Sequence, residues 1–191
     1  DTFVLRRMAS IEEELGNEKN ALIFYKQILK FNSEDREILV KVVRLLKKSH
    51  KIDELFSYLE RMHMLWPNNN NFTMEYANAL MGKNEYPKAL ALYTQIAEQD
   101  DLSDETYDDA IIASLKMGEC VLKMGDPNTA YKIFRALVKD DNKFKEAWDG
   151  LAIAATELGK RSEAEKAIKK AANLEEYEFA RDAIEPERIE G

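Results

Sequence analysis

EAWDGLAIAATELGKRSEAEKAIKKAANLE, residues 146–175, decides how the whole chain is read. Trp148, Leu151, Ala152 and Ala155 fall at i, i+3, i+4 and i+7, which lays one apolar stripe along a helix. Leu158-Gly159 interrupts that pattern, because glycine enters the left-handed conformation that closes a helix without steric cost. A second stripe follows in Ala164, Ala167, Ile168 and Ala171. Most of its side chains are small, so two helices can approach closely. The stretch predicts a helical hairpin.

The hairpin has counterparts upstream. Gly125 stands 34 residues before Gly159, and Asp126-Pro127 supplies an N-cap followed by proline at the first helical position. Ala130, Phe134 and Leu137 then repeat the spacing of the second stripe. Ala21, Leu55 and Ala89 are each 34 residues apart, as are Tyr25, Leu59 and Tyr93, and Ile28, Met62 and Ile96. The pattern W-x2-L-A-x2-A…G-x4-A-x3-I-x2-A and its 34-residue period resemble the tetratricopeptide repeat. That resemblance implies a single all-α domain over 1–191, a right-handed superhelix (an α-solenoid) of about five helical hairpins. The repeats are expected at 2–35, 36–69, 70–103, 111–144 and 145–178. A capping helix with a frayed tail is expected at 179–191, where Tyr177, Ala180 and Ile184 share one face ahead of Pro186.

Some positions depart from the pattern. Repeat 1 carries Glu12 where the family has a tyrosine-like residue, and repeat 2 carries Val43 for a small residue and Ser49-His50 for the Leu-Gly turn. Seven extra residues, 104–110, separate repeats 3 and 4. Seven residues make almost two helical turns and drift only about 20° from the stripe. Tyr107, Ile111, Ser114, Gly118 and Val121 continue one face, so the first helix of repeat 4 is expected to be two turns longer, with Ser103 as its N-cap. A seven-residue loop is the alternative.

Composition narrows the function. Charged residues make up 34% of the chain, with only 7 Gly and 4 Pro, which favours a soluble helical protein. No apolar run approaches the roughly 18 residues of a membrane span. The net charge of −8 argues against a general nucleic-acid binder, since phosphate neutralisation needs clustered Lys and Arg. Cys120 is the only cysteine, which excludes an internal disulfide and fits a cytoplasmic setting. The opening Asp1-Thr2, in place of Met, suggests a segment of a longer chain.

Active-site inventory is thin. His50 and His63 are thirteen residues apart and belong to no metal-binding pairing, and no glycine-rich phosphate loop is present. Cys120 falls inside a first helix, where a buried structural thiol is expected. No enzymatic role, cofactor, metal site or catalytic residue is expected.

In the family, side chains of the first helices line the concave groove. The matching positions here are Arg6 in repeat 1 and Lys41, Arg44 and Lys48 in repeat 2. Repeat 3 supplies Asn71, Met74, Asn78 and Met81, and repeat 4 supplies Leu115, Glu119 and Leu122. Repeat 5 supplies Glu146, Asp149, Ile153 and Glu157, so the path runs from basic, through a Met/Leu/Asn middle, to acidic. The Lys/Asn clamp that some family members close on chaperone C-termini is not reproduced, since its positions hold Arg6, Ser10, Lys41, Asn71 and Glu75. The expected function is a non-catalytic scaffold that binds a peptide or partner helix in the groove, with the partner's acidic residues facing repeats 1 and 2. The alternative is a regulatory or assembly domain of a larger enzyme or signalling protein, acting by intramolecular packing or self-association.

Overall fold

The computed structural model describes the backbone of residues 1–99 and 104–184, with side chains described for 1–99 and 107–176. Among the described residues there are ten helices and no strand. They are α1 (Thr2–Glu14), α2 (Glu18–Phe31), α3 (Arg36–Lys48), α4 (Ile52–Leu65), α5 (Asn70–Gly82), α6 (Tyr86–Ala97), α7 (Asp104–Lys123), α8 (Pro127–Asp140), α9 (Lys145–Glu157) and α10 (Arg161–Ile184). The chain forms two compact units, 1–79 and 80–191, whose boundary falls inside α5.

The repeat register is written in the turns. Positive φ occurs at Gly16, His50, Asn84, Gly125 and Gly159, each just past a first helix. The intervals are 34, 34, 41 and 34 residues, so the one long interval contains the seven-residue insertion. Each turn carries the same two backbone bonds. The Gly16 amide donates to the Glu13 carbonyl at 2.9 Å and the Asn17 amide to Glu12 at 2.8 Å. At Gly159 the equivalents are Thr156 at 3.0 Å and, from Lys160, Ala155 at 2.9 Å. This pairing satisfies carbonyls that the helix end leaves open and requires the left-handed residue between them. His50 meets the requirement at φ 53° despite its Cβ. A left-handed non-glycine residue costs roughly 1–2 kcal/mol. His50→Gly is therefore expected to raise stability by about 1 kcal/mol in urea titration, and an unmoved midpoint would contradict the assignment.

In the first unit the core is Tyr25, Ile28, Ile38, Leu39, Val42, Leu46, Leu59 and Met62, drawn from α2, α3 and α4. α5 closes over it with Phe72 and Tyr76. His63, in the last turn of α4, stacks on Tyr76 with ring centroids 5.4 Å apart. Its Nδ1 lies 3.0 Å from Thr73 Oγ1. The Thr73 hydroxyl also donates to the Pro67 carbonyl at 3.2 Å. Burial lowers the His63 pKa from 6.5. As pH falls below that value the unfolded chain takes up the proton before the fold does, so stability declines with acidification. His63→Gln is expected to flatten this slope between about pH 7 and pH 5. An identical slope in the variant would remove His63 from the account.

In the second unit the core is Ala130, Phe134, Leu137, Ala147, Leu151, Ala154, Ala155, Ala164 and Ala167. Ala130 and Ala164, where the sequence calls for close helix contacts, are both buried. The Asp126 carboxylate caps α8 by accepting from the Thr129 amide at 3.1 Å. The Thr129 hydroxyl and amide together hold the Asp126 carboxyl below its usual range. α7 has 20 residues where α9 has 13, so the insertion is helix and not loop. The Tyr107 hydroxyl, on the added turns, donates to Asp140 Oδ2 at 2.8 Å at the far end of α8. The expected N-cap, Ser103, lies outside the described residues.

One expectation needs correction. A separate capping helix from 179 is not formed, because α10 runs unbroken for 24 residues from Arg161 to Ile184. No Gly or Pro lies between these ends to stop it. The side-chain facing of Tyr177, Ala180 and Ile184, and everything from 185 on, falls outside what is described.

Candidate interaction surface

The expected groove residues of the first unit fall on α1, α3 and α5. The four basic ones do not stand alone. Arg6 reaches across to Asp35 and to Glu37, the latter at 3.3 Å. Lys41 lies 3.6 Å from Glu37 and 3.9 Å from Glu13. Arg44 pairs with Glu13, Lys48 with Glu18, and neighbouring Lys47 with Glu75.

Glu13 is the hub. Its carboxylate accepts from the Tyr25 hydroxyl and from Arg44. Lys41 sits over the Tyr25 ring at 5.4 Å and donates to the same hydroxyl at 3.4 Å. Burial, then the Glu13 hydrogen bond, raises the Tyr25 pKa, so the phenol keeps its proton and stays a donor. The wall that looks purely basic in the sequence is therefore matched acid for base by carboxylates of its own and the adjacent repeats. Each such pair is partly solvated and individually weak, so an incoming carboxylate can exchange with the resident one at little cost.

Between α3 and α5 the surface dips into a depression of about 240 Å³. Val40, Val43, Leu59, Met62 and Phe72 line it, and Arg44, Lys47, Asn71 and Glu75 form its rim. Asn71 is exposed, whereas Met74 is half-buried and Asn78 exposed further along α5. Val40 and Phe72 are contributors that position-by-position comparison with the family misses. The signal available was apolar side chains flanking the basic positions Lys41 and Arg44.

In the second unit the residues divide. Met81 is half-buried and accepts the Tyr93 hydroxyl on its sulfur at 3.9 Å. Glu119 is held by Lys116 at 2.9 Å, and Leu122 packs half-buried against the core. Leu115 is 7% exposed, a core residue of this unit and no open floor for a ligand. Cys120 is buried and its thiol is pushed up to about 11, chiefly by burial and then by Glu119, which makes it unreactive. Among the described residues no group of His, Cys, Asp and Glu is placed to hold a metal ion, and no helix is long and apolar enough to cross a membrane.

Residues 113–141, most of α7 with α8, match the family model of the tetratricopeptide repeat. Repeated hairpins and left-handed turns in a 34-residue register give the chain an all-α solenoid fold, and residues 113–141 within it are similar to the tetratricopeptide repeat. Solved structures share that fold. A crystal structure of MamA gives a TM-score of 0.72 at 18% identity, covering 94% of this chain and 94% of that one. The structure titled MamA MSR-1 C2 gives 0.70 at 18%, covering 93% and 98%. YrrB, described as a TPR protein with an unusual peptide-binding site, gives 0.70 at 15%, covering 99% and 89%. No curated protein matches the chain in sequence.

Proposed function

We propose that this chain is a non-catalytic protein-interaction module that holds a peptide or partner helix on the first-helix face of its first unit. The observation that carries the reading is the depression between α3 and α5, apolar in its walls and charged at its rim. An apolar anchor side chain seated there would leave water, and Arg44, Lys47 and Lys41 stand beside it for acidic residues flanking the anchor. Exchange of Glu13 and Glu37 for the partner's carboxylates costs little Coulomb energy and fixes register. That YrrB carries a peptide-binding site supports a peptide partner here.

The test is selection of a displayed peptide library on the full chain. Enriched peptides should carry one large apolar residue with acidic neighbours. Val40 is exposed enough for Val40→Glu to leave the fold intact, and that variant should bind the selected peptides at least about tenfold more weakly. Selected peptides that bind Val40→Glu equally well would place the contact elsewhere.

A further inference from the structure

The face of α1 turned away from Arg6 and Glu13 carries Val4, Met8 and Ile11, with Leu15 at the C-cap, spaced i, i+4, i+7 and i+11 as one stripe. These side chains are 50%, 42%, 42% and 68% exposed. One repeat on, the first three become Ile38, Val42 and Leu45, which are 1%, 0% and 4% exposed. In α9 the same columns hold Ala147, Leu151 and Ala154, also buried. The columns are thus the surface by which a first helix packs on the hairpin before it. In α1 they carry large apolar residues suited to that packing and have no cover among the described residues. Isolated apolar residues on a surface need no explanation, but a contiguous stripe at a packing register does.

We propose that a second copy of this chain covers the stripe, α1 packing antiparallel on α1 in a two-fold symmetric dimer. This surface is separate from the peptide-binding face proposed above, and the proposal does not rest on that reading. Charge selects the occupant. Arg7 and Glu14 are two helical turns apart on the same flank of the stripe. Arg7 makes no ion pair among the described residues, unlike Arg6, Lys41, Arg44, Lys47 and Lys48. Among the described residues Glu14 takes only a long hydrogen bond, from Ser10 at 3.4 Å.

With the two-fold axis between Ala9 and Ser10, Val4 meets the partner's Leu15 and Met8 meets the partner's Ile11. The same axis brings the partner's Glu14 to within about 3 Å of the level of Arg7 along the helix. Because the contact is isologous, that complementary pair forms twice. On the opposite flank Glu12 is already held by Asn20 at 3.1 Å.

Sedimentation velocity on the full chain, from about 1 to about 100 µM, tests this, since dimerisation is concentration-dependent. Wild type is expected to form a dimer. Met8→Glu with Ile11→Glu should be monomeric throughout with unchanged helical circular dichroism, because both positions are exposed in the folded chain. Arg7→Glu and Glu14→Arg should each weaken the dimer roughly fivefold, and the two together should restore it. A wild type monomeric throughout would overturn the proposal. So would a dimer that survives the double glutamate variant, or a charge swap that fails to restore association.

Discussion

Phe134→Ala is expected to cost the second unit about 3–5 kcal/mol, since it deletes a fully buried ring from a close-packed core. The ring is clamped between two helices by glycine. A methyl group added at Gly118 on α7 would meet Phe134 Cε1 at 2.6 Å, and one at Gly150 on α9 would overlap the same ring more deeply. Gly150→Ala alone is therefore expected to cost about 1–3 kcal/mol of overpacking, offset only in part by the roughly 1 kcal/mol that alanine gains over glycine inside a helix. In the Phe134→Ala background the ring is gone, and Gly150→Ala should become neutral or stabilising. This change of sign is what coupling between touching residues produces. Urea titration of the four proteins reads it through the midpoint, provided the m-value is constant. A Gly150→Ala variant more stable than wild type would disprove the clamp.

The clamp also shows where the sequence is readable and where it is not. Hairpins, their register and the two added turns of α7 follow from apolar spacing and from Gly125 and Gly159, because local geometry alone demands those residues. Gly150 sits inside the most telling stretch of the chain among alanines, and nothing in its spacing marks it as the site of Phe134. The run of α10 past 178 is not legible from the repeat period, because no residue enforces a boundary there.

The ion pairs are hidden in the sequence for a different reason. Arg6–Glu37 and Glu13–Arg44 are each 31 residues apart, three short of the repeat period. First helices of successive repeats lie side by side, so a carboxylate about 31 residues from a groove cation is the signal that would have found them. Counting cations alone predicted a bare basic wall. Counting across the repeat predicts a balanced one.

That balance gives the second large effect. Glu13 neutralises Lys41 and Arg44 while resting on Tyr25. Glu13→Gln keeps the shape and the Tyr25 contact but releases Arg44 and leaves Lys41 with Glu37 alone, and should tighten binding of an acidic-flanked peptide about three- to tenfold at low salt. Lys41→Glu with Arg44→Glu does the reverse. It sets two new carboxylates around Glu13 with Glu37 beside them, and should weaken the same peptide by on the order of a hundredfold, mainly through slower association. The first unit should keep its helicity, because these side chains lie outside its apolar core.

The most direct measurement is the affinity of one selected peptide for wild type, Glu13→Gln and the Lys41→Glu/Arg44→Glu variant, at low and at high salt. The expected order is Glu13→Gln tightest, wild type next and the double reversal weakest, with the three values converging as salt screens the surface charges. Three equal affinities at low salt would contradict binding on the face of α1, α3 and α5.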